Sequence, residues 1–358
     1  MSVPPASAPT AAIAGAWVAF LTFVAVALSA LAITPKLLPW RDNPLVFETT
    51  KVASLIEQLE DPAGWDKKHL NDPEFNGIQT IRLRILPPVL GRALGLSPGA
   101  YLTLPWIALV ALVWLVVHYA LRAGLTRVEA LAVGVLTGTS SAFFSASCAV
   151  GYFDPFYLIP LLFVCYARSP VLVLGACLLG PWVDEKFLFM LPACGLVRWS
   201  WQPQRRWVWQ AALALAPYCL ARLAALGMGD SSFSRQIEMQ AAMFPHYAPA
   251  LPQGWWFGFR AGWVAVAIGG YAVWRELDRR ERGLFAASLV GAVAALSFLA
   301  WDTTRTIAML LPLLLAGLSQ PGLRRALPWL AGANLFLPAA YVWCGIPVTV
   351  PLTSILFR

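Results

Sequence analysis

Apolar residues gather in eleven blocks along the chain, at roughly 11–33, 102–121, 128–150, 156–167, 169–183, 187–197, 207–227, 254–274, 284–301, 306–318 and 326–345. A membrane span needs roughly 20 apolar residues. The pattern therefore predicts an all-α, polytopic membrane protein of about 11 transmembrane helices, with a range of about 10–12. The first block has no Lys or Arg before it. It lacks the basic leader region of a signal peptide and reads as an uncleaved helix.

The connections between blocks alternate in character. One set carries Arg122 and Arg127; Arg168; Arg198, Arg205 and Arg206; Arg275, Arg279, Arg280 and Arg282; Arg324 and Arg325. The other carries Asp154; Asp184, Glu185 and Lys186; Asp230, Arg235 and Glu238; Asp302 and Arg305. Arginine-rich connections stay on the cytoplasmic side. The N-terminus is then expected in the cytoplasm, and the second set is expected outside. The long connection 34–101 falls outside too, and residues 228–253 form a second outer, interfacial loop. Acidic groups from distant parts of the chain are thereby expected to meet at one face of a single transmembrane domain spanning residues 1–358.

Within 34–101, residues 44–60 read as a helix with Leu45, Val52, Leu55, Ile56 and Leu59 near one stripe. Such a helix is expected to lie along the interface with that stripe towards lipid. Asp72-Pro73-Glu74 follows, then Ile81-Arg82-Leu83-Arg84-Ile85. Two arginines inside an apolar run need anions, either lipid phosphate or a substrate phosphate. The corner Pro181-Trp182-Val183-Asp184-Glu185-Lys186 is flanked by runs that reach only about 21 and 17 Å, short of a ~30 Å hydrocarbon core. Its charges must then line a cavity or pair with one another. Asp302/Arg305 repeats this logic, with a helix-junction cap as the alternative. Asp154, before Pro155, reads either as a helix-start cap or as a site carboxylate.

Composition excludes several classes. Of the 358 residues 59% are hydrophobic and 12% charged, against about 45–50% and about 25% in soluble domains. An ordinary cytosolic enzyme, a disordered chain and a nucleic-acid binder are excluded, and the net charge of +8 fits basic membrane-facing loops and anionic lipid. With His69, His118 and His246 as the only histidines, a histidine metal site is not expected. There is no Gly-rich phosphate loop, no Ser/His/Asp set and no Cys-x-x-Cys. The six cysteines lie in apolar runs and read as small core residues. The excess of Arg over Lys suggests a GC-rich bacterial genome, and hence the bacterial inner membrane.

The arrangement resembles the GT-C superfamily of integral-membrane glycosyltransferases: one helix, a long acidic outer loop with an interfacial helix, then many spans with charged outer turns. The resemblance implies transfer of a sugar from a polyprenyl-phosphate or polyprenyl-diphosphate donor to an acceptor on the extracytoplasmic face. It implies a catalytic carboxylate in the first outer loop. Asp42, in Trp40-Arg41-Asp42, best matches it, and Asp72 and Glu74 are the rival match. Arg82, Arg84, Asp154, Asp184, Glu185, Lys186, Asp302 and Arg305 are the substrate- and phosphate-binding candidates. Some members use a carboxylate-bound divalent metal, but this chain has no Asp-x-Asp, so the cofactor is left open. The partners implied are membrane lipid and the lipid-linked donor. The alternatives are a lipid or small-solute transporter or flippase, and a non-catalytic subunit of a membrane complex. A transporter calls for charges near the bilayer midplane and an internal repeat. No repeat is visible, and Arg222, Arg260 and His118 read as lying near helix ends.

Overall fold

The computed structural model describes residues 8–33, 55–61, 84–143, 152–227, 232–299, 302–337, 339–343 and 346–349. Its elements run α1 (Ala8–Ile33), a helical stretch at 55–60, α2 (Leu86–Ala93), α3 (Pro98–Arg122), α4 (Arg127–Gly138), α5 (Pro155–Tyr166), α6 (Pro170–Leu179), α7 (Lys186–Trp201) and α8 (Arg205–Gly227). They continue with α9 (Ser232–Tyr247), α10 (Leu251–Phe259), α11 (Trp263–Glu276), α12 (Arg279–Leu299), α13 (Thr303–Ile307), α14 (Leu311–Ala316) and α15 (Pro321–Phe336). The described residues are all-α apart from one antiparallel strand pair, β1 (Ala340–Trp343) with β2 (Ile346–Thr349), in which Trp343 faces Ile346.

Several starts follow from local chemistry. Ser97 and Thr126 cap α3 and α4 with their hydroxyls, and Glu129 returns the bond to the Thr126 backbone in a capping box. Proline opens α2, α3, α5, α6 and α15, where its missing N–H leaves no bond unmade.

Among the described residues two helices, Pro98–Arg122 and Arg279–Leu299, are long and apolar enough to cross a membrane, by length and composition. Shorter apolar helices cover Gly15–Ala30, Pro155–Tyr166, Pro170–Trp182 and Thr303–Ser319. Breaks shorten the expected runs. The block 254–274 divides into α10 and α11 at a 3-10 turn, Arg260–Gly262. The block 306–318 divides into α13 and α14 with 3-10 turns after each. The block 326–345 is helical only to Phe336. Beyond Pro338, Tyr341, Val342 and Trp343 are β-branched or aromatic, and Ile346-Pro347-Val348 follows on the partner strand. Such residues favour a strand, and the apolar pattern alone does not distinguish the two states.

Small residues set the helix spacing. On α4, a side chain added at Gly134 or Gly138 would meet Ala25 or Ser29 of α1. On α11, one added at Gly269 would meet the Leu313 carbonyl of α14. At these positions glycine lets the helix backbones approach closely.

The connections segregate by charge. Arg127 stacks its guanidinium on the Trp17 ring near the start of α1, 3.7 Å from the centroid. Arg324 donates to the Ala123 carbonyl in the α3–α4 turn. Arg198 donates to the Ala167 carbonyl in the α5–α6 turn. Basic connections thus touch other basic connections, and the acidic ones meet elsewhere.

Within the first loop, the stripe at Leu55 and Leu59 turns towards the protein rather than lipid. Both side chains are buried, and Leu59 lies against Gly91 on α2. Arg92 holds the stretch by donating to the Glu60 carbonyl. Residues 44–54 of the expected helix lie outside the described residues. Of the cysteines, Cys165, Cys177 and Cys194 are buried as expected, but Cys219 is exposed on α8.

Candidate functional site

Four connections converge on one charged cluster. Asp154 stands immediately before α5, with Pro155 as the first helical residue. Its carboxylate makes no cap hydrogen bond. Instead Oδ2 accepts from Arg305 Nε at 2.5 Å, and Oδ1 lies 3.8 Å from Lys186 Nζ. The helix-start reading of Asp154 is therefore replaced by a pairing role.

Asp184 occupies the corner between the 3-10 turn Gly180–Trp182 and α7. Its Oδ1 accepts from the Lys186 backbone N–H at 3.0 Å. Its Oδ2 lies 3.4 Å from Lys186 Nζ, 3.4 Å from Arg84 Nη1 and 3.6 Å from Arg305 Nη2. Glu185, the residue before α7, accepts from Arg84 through both oxygens, at 3.0 and 3.2 Å. Its Oε1 also lies 3.9 Å from Arg222 Nη2 on α8. Asp302 lies 3.7 Å from Arg305 Nη1, and its Oδ2 accepts from the Tyr152 hydroxyl at 3.4 Å. Asp302 does not cap α13 with its side chain. The Arg305 guanidinium sits over the Tyr152 ring, 4.1 Å from the centroid.

All the candidate residues that are described therefore share one network: Arg84, Asp154, Asp184, Glu185, Lys186, Asp302 and Arg305. Arg84 meets carboxylates of its own chain, where the sequence suggested lipid or substrate phosphate. Asp42, Asp72, Glu74 and Arg82 lie outside the described residues. Sequence reading placed Arg222 near a helix end and gave it no part in the site, and it gave none to three tyrosines, Tyr152, Tyr218 and Tyr157, whose ring centroid lies 5.8 Å from Lys186 Nζ. Tyr218 and Arg222 lie one helical turn apart near the C-terminal end of the 207–227 block, and that spacing was the available signal.

Four carboxylates face four cations: Arg84, Lys186, Arg222 and Arg305. Formal neutrality lets the group be buried. Desolvating an ion costs several kcal/mol unless a partner and further hydrogen bonds offset it. Burial alone would raise the Asp184 carboxyl, but Arg84, Lys186 and Arg305 hold it well below the usual carboxylate range. A depressed native pKa stabilises the fold above the ordinary value and is lost as pH falls below it. Thermal stability of the purified protein should thus be level from pH 7 to 5 and fall below about pH 4. Asp184→Asn should flatten that acid limb. An acid limb as steep as the parent's would contradict the pairing of Asp184.

The carboxylates of Asp154, Asp184 and Glu185 are engaged by cations. Those contacts hold the cations Arg84, Lys186 and Arg305 in place. Asp302 Oδ1 is buried with no donor among the described residues and remains available as an acceptor. No three His, Cys, Asp or Glu side chains among the described residues are grouped so as to hold a metal ion. Comparison with known families, curated proteins and solved structures finds no match for the chain.

Proposed function

We propose that this chain is an integral membrane protein of about 11 spans (range about 10–12), with its N-terminus cytoplasmic, in the bacterial inner membrane. In this reading it is a glycosyltransferase that moves a sugar from a polyprenyl-phosphate-type lipid donor to an acceptor on the extracytoplasmic face. The membrane assignment is supported by an apolar exterior. Trp209 and Leu213 on α8 are each 76% exposed, and Trp329 on α15 is 82% exposed. A water-facing helix would carry polar residues there.

The observation that carries the functional reading is the convergence of the acidic connections on one cation-rich cluster. The first outer loop reaches it through Arg84. Glycosyl transfer needs a base for the acceptor hydroxyl and cations for the departing phosphate. Asp42, or Asp72 with Glu74, supplies the base in this proposal. The acceptor oxygen bonds to the anomeric carbon as the carbon–oxygen bond to phosphate breaks. The electron pair leaves with the phosphate, and the proton passes to the carboxylate.

The test is transfer from a panel of polyprenyl-phosphate sugars by membranes carrying the protein. Asp42→Asn or Asp72→Asn should lower the rate by about a hundredfold or more. Unchanged rates in Asp42→Asn, Asp72→Asn and Glu74→Gln alike would discard the mechanism.

A further inference from the structure

The cluster is not uniform in depth. Asp154 and Asp184 have side-chain exposures of 0% and 3%, whereas Arg84, Glu185 and Arg222 have 20%, 22% and 28%. Lys186 and Arg305 are held between buried carboxylates. Neither can turn to a new anion without abandoning Asp154 or Asp184. At the rim, two guanidinium groups share one accessible carboxylate, Glu185.

Three features prepare that rim for an oxyanion. Arg84 grips Glu185 with Nε and Nη2 together, the fork geometry that fits phosphate equally well. Arg222 is aimed by Tyr218, whose hydroxyl accepts from Arg222 Nε at 3.0 Å. Tyr218 is itself buried and packed edge-on against Trp182. Finally, Glu185 stands before α7, a 16-residue helix, yet does not cap it with its side chain. The positive helix end therefore adds to the field of the two arginines.

We propose that Arg84 and Arg222 form a seat for a phosphate group at the rim of the cluster, and that Glu185 occupies this seat until a phosphate displaces it. The inference rests on the glycosyltransferase reading for its substrate, the phosphate of a lipid-linked donor. It assigns the phosphate to Arg84 and Arg222 rather than to Lys186 and Arg305. Glu185 then also acts as a selector, because a weakly charged ligand cannot compete with a carboxylate already bound in two places.

The experiment is titration calorimetry of the full-length protein in detergent micelles with inorganic pyrophosphate. Glu185→Gln removes the competing charge and should tighten binding by about tenfold. Arg222→Gln should weaken it by about tenfold in either background, and Arg222→Lys should recover only part, since a point charge does not replace the fork. Arg222 variants are informative even where Arg84→Gln fails to fold, because Arg222 makes only the outermost contact. A second arm measures phosphatidylglycerol retained after delipidation. If Glu185→Gln raises lipid retention but not pyrophosphate affinity, the seat takes a lipid headgroup. If Glu185→Gln changes neither, or Arg222→Gln leaves pyrophosphate affinity unchanged, the proposal is overturned. Pyrophosphate binding is read without sugar transfer. Binding that follows this pattern in a protein without transferase activity would remove the enzymatic reading and leave the seat.

Discussion

Arg305→Met should destabilise the purified protein by about 3–5 kcal/mol, read by SDS titration of the protein in mild micelles. Arg305 contacts all three buried aspartates, Asp154, Asp184 and Asp302. Its removal leaves Asp154 with Lys186 alone, at 3.8 Å. The uncompensated carboxylate is what makes the loss large. Arg305→Lys should recover only part, because one ammonium cannot reach three carboxylates that a planar fork now spans. Asp154→Asn combined with Arg305→Met should be less damaging than the sum of the two, since the double variant removes the opposed charges together. Strict additivity of the pair would show that Asp154 and Arg305 are not coupled, and an Arg305→Met variant as stable as the parent would show that Arg305 contributes nothing to holding α5, α7 and α13 in place.

The convergence of Asp154, Asp184 and Asp302 was legible in the sequence because it follows from parity. Arginine-rich connections alternate with these three along the chain, so the three were expected to share one face. The identity of each partner was not legible. Arg84 and Glu185 stand 101 positions apart, and Arg305 and Asp154 stand 151 apart. Nothing in a local window joins them. Asp154 illustrates the ambiguity: its place before proline is that of a helix cap, and only the tertiary pairing shows that its carboxylate points elsewhere. Lys186 was legible as a partner of Asp184, because the two are neighbours in one corner.

Helix existence was more legible than helix continuity. The block 284–301 became one unbroken helix, α12, starting earlier at the charged turn. The block 254–274 did not, and its break at Arg260 carries no proline or glycine at the turning residue itself. Hydrophobicity sets which residues avoid water, and a broken helix satisfies that as well as a straight one. The strand pair at 340–349 was hidden for the same reason. Arg222 was read as lying near a helix end, and its partner Glu185 lies on another element.

Arg260→Met should also cost about 3–5 kcal/mol, for a different reason. Arg260 is buried, and no carboxylate among the described residues pairs with it. Its Nη1 donates to the carbonyls of Asn334 and Leu337, and its Nη2 donates to the Thr139 carbonyl. Thr139 is the C-terminal cap of α4, Leu337 caps α15, and Arg260 itself caps α10. Three helices thus end at one guanidinium. Each C-terminus presents carbonyls without helical partners and about half a negative charge. Together they supply the counter-charge that a carboxylate supplies elsewhere. Asn334 completes the joint: its Nδ2 donates to the Phe259 carbonyl and Thr139 Oγ1, and its Oδ1 accepts from Ala261 N–H. The joint holds Arg260 at φ 51°, a conformation that favours glycine. Arg260→Gly should therefore be more stable than Arg260→Ala by about 1 kcal/mol, although both lose the guanidinium. Adding guanidinium to either variant should restore part of the loss, because the carbonyls of Thr139, Asn334 and Leu337 remain. If Arg260→Met unfolds at the parent's SDS midpoint, the three helix ends do not need a cation, and the joint is held by packing and the Asn334 hydrogen bonds.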